Sequence, residues 1–348
     1  MTICHPDQIT PEWLNKVLND AGFSGNVAHF TWENIGAGQV GDNARLVLFG
    51  DGDLPSTLVV KFPSSDPVSK QTGVDLQNYA REVFFYEELA ASVEVQTPKV
   101  FATEFDPETH DFIVVMQDLA PGIQIDQLDG CSAQHAELAM VELAKLHGPR
   151  WGDADLVRYP LLAPADPAES AVPAYSMFAE GFLDRYQDRL SDSEQAMVLA
   201  IGEVQDGYTG YQGAQTLIHI DYRLDNMVFG GPYPIAVIDW QSINLGCALN
   251  DVAYFMGTSL LPADRRAGEE MLVRRYLAQL DSYDVQLSWE ECWNLYRHYA
   301  PAGLNMAVIA SMIVGETPRG NDMFMVMAKR SIAMCEDLDT VSLLAAHS

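Results

Sequence analysis

Acidic and amide side chains lie beside two short apolar runs between Leu217 and Gln241. The runs, at 227–229 and 235–238, flank a Gly-Gly-Pro turn, a pattern typical of a β-hairpin. A hairpin brings its two ends together, so Asn226 and Asp239 are expected to direct oxygen atoms towards one point. Asp and Asn oxygens are ligands that Mg²⁺ prefers, together with substrate phosphates. The spacing therefore predicts a magnesium site, with Asp221 beside it to accept a proton from an attacking hydroxyl.

The string HIDYRLDN at 219–226, followed by VIDWQ at 237–241, resembles the catalytic pattern of the protein-kinase-like superfamily. A chance Asp/Asn-rich loop is the alternative. The form is most similar to the aminoglycoside phosphotransferase and choline-kinase-like family, and within it to ecdysteroid-kinase-like small-molecule kinases. The resemblance implies an α+β, protein-kinase-like two-lobe fold. Residues 1–118 would form a small N-terminal antiparallel β lobe with a helix, and residues 119–348 a larger, mainly helical C-terminal lobe.

A glycine triplet, Gly36-x-Gly38-x-x-Gly41, precedes two strand-like segments at 44–49 and 57–62. Such a triplet alone equally suits a Rossmann turn, but that turn opens a helix, and here a strand follows. The pattern predicts a β-hairpin with a glycine loop, the form that covers nucleotide phosphates in kinases. A plain hairpin turn is the alternative.

Lys61 is one of six lysines in the chain and lies in the apolar second segment. A buried ammonium group is costly unless it is paired. We expect a phosphate and Glu82 to pair it, because Glu82 lies in a segment with helical spacing, 79–89. This resembles the strand-lysine and helix-glutamate pair of kinases. Glu87 and Glu88 are expected on the solvated face, and the alternative for Lys61 is a side chain that reaches water from a strand end.

Two further strands are expected at 100–104 and 111–116, and the exit at 116–122 is interpreted as the hinge between lobes. Asp118 resembles a residue common at this point in the family, although a turn cap is an equal alternative. The nucleotide-binding residues are thus expected to be Gly36, Gly38, Gly41, Lys61, Glu82, Met116 and Asp118.

Apolar spacing predicts one helix from Thr10 to 22 and others over 132–147, 176–190, 192–206, 263–280, 289–314 and 321–346. His147 is expected to cap the end of its helix. Asp251 follows Asp239 by twelve positions and opens another helix. It resembles a family carboxylate that braces the catalytic loop, or it is an N-cap. The gap is too short for the segment that positions peptides in protein kinases, so a small-molecule acceptor is expected.

The net charge of −29 makes nucleic acid and anionic membranes poor partners. No apolar run is long enough to span a membrane, and five dispersed cysteines indicate thiols in a reducing cytoplasm. Bound polyphosphate requires local positive charge. Arg223 is therefore expected to face the transferred phosphate, with an ion pair to Asp225 as the alternative. His219 is grouped with the catalytic residues, but we expect it to hold the loop rather than to transfer protons.

The resemblance thus implies a kinase that uses ATP and Mg²⁺ to phosphorylate a hydroxyl of a small alcohol. A methionine stripe would favour an apolar acceptor if it lines the pocket, although such stripes are usually core. Aminoglycosides or choline- and ethanolamine-type acceptors are alternatives, and the former would require inward carboxylates such as Glu290, Glu291 or Asp322. A pseudokinase scaffold would normally lack one of Asp221, Asn226 or Asp239, and a metal-dependent hydrolase would need further histidine ligands.

Overall fold

Five strands in the N-terminal part form one antiparallel sheet. The computed structural model describes residues 2–36, 40–162, 174–210 and 213–346. The strands are β1 (Asn26–Ile35), β2 (Gly41–Asp51), β3 (Thr57–Pro63), β4 (Val100–Phe105) and β5 (Phe112–Gln117), in the order β1-β2-β3-β5-β4. The hairpin predicted after the glycine triplet is therefore confirmed, and it is longer than expected. Strand β1 was not predicted from the sequence, because most of its residues are not buried and its apolar alternation is therefore weak.

Helices cover both faces of this sheet. On one face, α1 (Pro11–Asp20) begins as predicted, with Thr10 accepting a hydrogen bond from the Trp13 amide at 3.2 Å. Its Leu14 and Leu18 pack in the same apolar cluster as the buried residues of β2 and β3. On the other face lie α2 (Pro67–Asp75) and α3 (Asn78–Phe84), and the latter continues as a π-helical turn at Phe85–Leu89.

The rest of the chain is mostly helical and forms a larger lobe around its own apolar core. Its helices are α4 (Ala133–His147), α5 (Ala174–Tyr186), α6 (Asp192–Glu203), α7 (Gln205–Thr209), α8 (Ala248–Ser259), α9 (Pro262–Leu280), α10 (Trp289–His298), α11 (Ala302–Ile313), α12 (Pro318–Asp337) and α13 (Thr340–Ala345). A small antiparallel β lobe followed by a helical lobe is the predicted arrangement, which is confirmed. Over the described ranges, no helix has the length and apolarity needed to cross a membrane.

Two predicted helices of this lobe are each broken in two. The helix expected over 289–314 ends at His298 and restarts at Ala302, because Pro301 lacks the amide hydrogen that a continuous helix requires. The helix expected over 321–346 begins earlier, at Pro318 after the Thr317 cap. It breaks where Asp339 adopts a left-handed conformation with φ of 50°.

Two short strand pairs hold the loop at residues 219–226, which carries Asp221, Arg223 and Asn226. β7 (Met227–Phe229) pairs antiparallel with β8 (Ile235–Val237) across a turn in which Gly230 and Gly231 have φ of 75° and 76°. This is the predicted hairpin, and it is confirmed. β6 (Thr216–Ile218) pairs with β9 (Asn244–Gly246), a pairing that the sequence analysis did not anticipate.

Helix α3 is tied to the segment that follows β8. The Asn78 side-chain amide donates to the Gln241 carbonyl at 2.9 Å, and the Arg81 guanidinium donates to the Ile243 carbonyl at 3.1 Å. The Thr72 hydroxyl of α2 also donates to the Ile313 carbonyl at 3.1 Å. The helices of the small lobe are thus held against the large lobe by side chain to backbone hydrogen bonds.

Candidate active site

A cavity of about 840 Å³ opens between the two lobes. Residues of β2, β3 and the exit of β5 form one wall, and the loop before β7 together with the start of α12 forms another. The predicted site residues on its walls are Gly36, Lys61, Glu82, Met116, Asp118, Asp221, Arg223, Asn226 and Asp239. The structure therefore brings most of the predicted residues to one cleft. Gly38 lies outside the described residues.

Lys61 joins the two lobes through carboxylates on both sides. Its Nζ lies 2.5 Å from Glu82 Oε2 on α3 and 2.8 Å from Asp239 Oδ1 after β8. Lys61 and Glu82 are buried, with 4% and 1% of their surface exposed. Because an unpaired buried ammonium would be strongly unfavourable, these two contacts explain how the lysine is accommodated inside the sheet.

Burial and neighbouring charges shift the pKa values of Lys61, Glu82 and Asp239 in different directions. Burial alone would lower the pKa of Lys61, but Asp239 and Glu82 raise it above its ordinary value. Burial raises the pKa of Glu82 to about 7, against the opposing effect of Lys61. Burial also opposes ionisation of Asp239, yet Lys61 lowers the pKa of that carboxyl below its ordinary value. Of the two carboxyl groups that contact Lys61, Asp239 is thus the one that more readily stays charged.

The two ends of the β7–β8 hairpin meet, as the hairpin prediction requires. The Ile238 amide donates to the Asn226 carbonyl at 3.0 Å, which places Asp239 next to Asn226. Asp239 itself has φ of 67°, a left-handed conformation that is unusual for a residue with a Cβ atom. Such local strain is common where a side chain is held in a defined position at a functional site.

Asp221 and Arg223 are linked on the loop between β6 and β7. Arg223 donates from Nε to Asp221 Oδ1 at 2.9 Å, and its Nη1 contacts Asp225 Oδ2 and Met323 Sδ. Burial would lower the pKa of Arg223, but Asp221 and the surrounding acids raise it. Arg223 lies on the cavity wall. Its ion pair with Asp225, the alternative expected from the sequence, is present, and its place beside a transferred phosphate stays a prediction.

His219 and Asp251 hold this loop from behind. Asp251 accepts hydrogen bonds from the amides of His219 at 2.6 Å and Ile220 at 2.9 Å, so the expectation that it braces the loop is confirmed. The fully buried His219 ring bonds the Ile238 carbonyl through Nε2 at 3.1 Å. The expectation for His147 is wrong: its ring does not cap α4 but bridges Asp251 at 3.3 Å and the Tyr276 hydroxyl at 2.9 Å.

The glycines and the hinge frame the other end of the cavity. Gly36 has φ of 73°, and a Cβ atom on Gly41 would come within 3.1 Å of Lys61 Cε, so glycine lets the start of β2 pass close to the lysine. Asp118 accepts hydrogen bonds from Arg45 Nε at 2.7 Å and Nη2 at 3.2 Å, and from the Ala120 amide at 3.0 Å. Burial opposes ionisation of Asp118, but the bond from Arg45 lowers the pKa of this carboxyl. Arg45 was not predicted from the sequence, because it alternates with the buried Ala44 and Leu46 on β2 and its partner Asp118 lies 73 positions away.

Charged side chains at the opposite end of the cavity were also missed. Arg319, near the start of α12, contacts Asp126 Oδ1 at 3.1 Å and Asp225 Oδ1 at 3.3 Å, and Glu316 lies close by on the same wall. The methionine stripe predicted from the sequence consists of Met306, Met312, Met323, Met325, Met327 and Met334, and of these six residues only Met323 lines the cavity. Glu290, Glu291 and Asp322 do not line it. This end is therefore polar and acidic.

The chemistry of the donor set fits a hard cation. Asp239 offers a charged carboxylate, and its Oδ1 contacts Lys61. The Nδ2 of Asn226 donates to Asp221, so the amide oxygen of Asn226 points away from Asp221. A small number of protein oxygen donors is typical of Mg²⁺, which keeps several waters or substrate oxygens as further ligands. Among the described residues no group of three or more His, Cys, Asp or Glu side chains could hold a metal, so a protein-enclosed zinc-type site is absent there.

Comparisons with known proteins agree with this arrangement. A model of the APH phosphotransferase enzyme family matches residues 35–289. The fold is similar to that of aminoglycoside 2′-phosphotransferase-IIIa solved with GDP, with TM-score 0.51, 14% identity, and coverage of 93% of this chain and 99% of the other. It is also similar to an ethanolamine kinase of Plasmodium vivax, with TM-score 0.52, 12% identity, and coverage of 93% and 84%. A gentamicin complex of APH(2″)-IIa gives TM-score 0.52, 15% identity, and coverage of 94% and 99%.

No curated protein matches the sequence. The expected protein-kinase-like fold is thereby confirmed, whereas a special closeness to ecdysteroid kinases is not shown.

Proposed function

This chain belongs to the phosphotransferase enzyme family and is a phosphotransferase, and from that premise we propose that it transfers the γ-phosphate of ATP to a hydroxyl of a small molecule. One observation carries the proposal: Lys61, Asp221, Asn226 and Asp239 converge on a single cleft between the lobes. These are the side chains that phosphoryl transfer needs for positioning and for charge neutralisation.

The nucleotide would occupy the end of the cavity formed by the small lobe. Lys61 would hold the inner phosphates, and Gly36, with Gly38 and Gly41 as predicted, would let the loop approach them closely. The backbone at Met116 would meet the adenine edge, and Asp118 would fix the hinge through Arg45. We place the lobe boundary here, between residues 118 and 119.

Asn226 and Asp239 would hold Mg²⁺, which supplies neutralisation of the phosphate charge when it is bound. Asp221 would orient the acceptor hydroxyl and accept its proton late in the reaction. Arg223 would place positive charge beside the transferred group, and His219 would hold the loop through the Ile238 carbonyl.

The acceptor would lie between the loop before β7 and the start of α12. The carboxylates of Asp126, Asp225 and Glu316 favour a polar alcohol over the apolar one that the methionines suggested. An amine-bearing acceptor, of the aminoglycoside or choline and ethanolamine type, is the second candidate, because these three acids outnumber Arg223 and Arg319, the two arginines with which Asp126 and Asp225 pair. All five cysteines are free thiols, which supports a reducing cytoplasm as the location.

A substrate panel tests the proposal. ATP or GTP consumption is measured with a set of alcohols, with and without Mg²⁺, and a hydroxyl-bearing acceptor is expected to accelerate it. Asp221→Ala should reduce kcat by roughly 10²–10⁴-fold with nucleotide binding retained. Asp239→Ala should weaken binding of Mg–ATP itself, measured by calorimetry.

Asp322→Ala is the matched control, because Asp322 pairs with Arg189 outside the cavity. It should leave both quantities unchanged. Full turnover by Asp221→Ala would contradict the proposal. Nucleotide binding without turnover for every acceptor would instead favour a pseudokinase scaffold, and consumption that is the same with and without an alcohol would favour a hydrolase.

A further inference from the structure

A buried tyrosine of the large lobe contacts the carboxylate proposed as the base. Tyr254 lies on α8, is 1% exposed, and donates from its hydroxyl to Asp221 Oδ1 at 2.6 Å. A buried phenol needs a hydrogen-bond partner, and this one has an acidic acceptor. Burial and then Asp221 raise the pKa of Tyr254 well above its ordinary value, so the hydroxyl remains a donor at neutral pH.

The two oxygens of Asp221 have unequal surroundings. Oδ1 accepts from Tyr254 at 2.6 Å and from Arg223 Nε at 2.9 Å, whereas Oδ2 accepts from Asn226 Nδ2 at 2.8 Å. A carboxylate offers about two lone-pair positions on each oxygen. Both positions on Oδ1 are therefore used, and one position on Oδ2 remains for a further donor.

We propose that Tyr254 is a positioning residue that, together with Arg223, saturates Oδ1 and leaves Asp221 Oδ2 as the atom that receives the acceptor hydroxyl. This inference rests on the proposed function. In the step, the acceptor oxygen forms a bond to the γ-phosphorus and the bond from that phosphorus to the β-phosphate oxygen breaks. The O–H bond of the acceptor breaks, and its proton passes to Oδ2.

Removal of the phenol oxygen frees a position on Oδ1 and loosens the orientation of the carboxylate. Tyr254→Phe should then lower kcat roughly tenfold or more, as expected for loss of a hydrogen bond to a charged group. The KM values for nucleotide and acceptor should stay within about twofold, because Tyr254 does not line the cavity. The assay follows ADP formation from Mg–ATP, with ethanolamine and with water alone as the acceptor.

Tyr222→Phe is the matched control. Tyr222 is equally buried and lies next to Asp221, but its hydroxyl donates to the Ala139 carbonyl at 2.8 Å. It should cost stability without the selective loss of kcat. In an Asp221→Asn background, Tyr254→Phe should have no further effect, because the tyrosine acts through that carboxylate.

Equal changes in kcat for the two tyrosine variants, or additive losses with Asp221→Asn, would overturn the inference. Should Tyr254→Phe fold poorly, a crystal structure of the wild-type protein decides the matter. The acceptor or water oxygen nearest Asp221 must lie within hydrogen-bond distance of Oδ2. An oxygen bonded to Oδ1 instead would overturn the inference. If Asp221→Ala keeps full activity, the proposed function itself fails, which is a distinguishable result.

Discussion

Glu82 is the residue whose surroundings are least ordinary. It is almost fully buried, it faces the ammonium of Lys61, and both of its carboxylate oxygens lack hydrogen-bond geometry to any donor. Burial dominates, so its pKa of about 7 lies well above the value of an unfolded chain. Between about pH 4.5 and 7, the folded protein therefore holds a proton at Glu82 that the unfolded protein has already released.

The pH dependence of stability follows from this difference. The contribution of Glu82 to the free energy of unfolding is fully present below about pH 4.5 and is lost as pH rises through about 7. Glu82→Gln mimics the protonated form and should remove this dependence. Urea unfolding between pH 5 and 8 should show the wild type losing up to about 3 kcal/mol relative to the variant, since each pKa unit corresponds to about 1.4 kcal/mol.

Glu88→Gln is the control, because Glu88 is exposed on the same helical segment. Its pH profile should run parallel to that of the wild type. Parallel profiles for Glu82→Gln as well would show that burial does not govern the protonation of this glutamate.

Residues close in sequence were predictable, and residues joined only in space were not. The string at 219–226 was enough to predict Asp221 and Asn226, and an apolar strand was enough to single out Lys61. Tyr254 and Arg45 carry no comparable signal, because their partners lie 33 and 73 positions away. Their surroundings in the sequence are those of ordinary helix and strand residues.

At the scale of elements, α8 supports the loop before β7, which carries Asp221. Asp251 in its first turn accepts two loop amides and also contacts His147, while Tyr254 one turn later contacts Asp221. One helix thereby fixes both the backbone and the key carboxylate of the loop. The left-handed conformation of Ile220, with φ of 69°, lies between those two contacts.

Asp251→Asn should therefore destabilise the protein by about 2–4 kcal/mol, because its amide can accept through one oxygen only and the buried loop amides lose a charged partner. Urea unfolding measures this loss, and kcat should fall with it. Asp264→Asn, an exposed first-turn change in α9, should alter stability by less than about 0.5 kcal/mol. Similar values for both variants would contradict the supporting role of α8.

Elements with local signals were predicted better than those that depend on distant contacts. Thr10 before Pro11 identified the start of α1, and the Gly-Pro turn identified the β7–β8 hairpin. Helix α2 was missed although Asp66 before Pro67 carries the same type of cap. The β6–β9 pairing could not be inferred, because its two strands have three residues each and are far apart in the sequence.

For the whole molecule, charge is the dominant property. The chain has 49 acidic and 20 basic side chains, which gives a net charge of −29. Arg45, Lys61, Arg223 and Arg319, the cations on the described cavity walls, are each paired with at least one carboxylate. Little free positive charge is left for a polyphosphate, so the proposed cation carries much of that task.

Self-repulsion should also make stability depend on salt. Raising NaCl from about 0.01 to 0.5 M shortens the screening length from about 30 Å to a few ångströms, and Tm at pH 8 should rise by several degrees. At pH 5, closer to the isoelectric point near 4.3, the rise should be smaller. Thermal unfolding monitored by circular dichroism measures both. An equal rise of Tm with NaCl at the two pH values would contradict this explanation. It would show a general effect of the salt and not the screening of repulsion within the protein.

The two hydrogen bonds that join α3 to the backbone after Asp239 bear on how this molecule could be controlled. Withdrawing Glu82 from Lys61 would break the contacts of Asn78 and Arg81 together with the ion pair. An inhibitor or partner that works by swinging this helix outward would have to overcome all three at once. A compound that binds within the cleft does not have to break these three contacts.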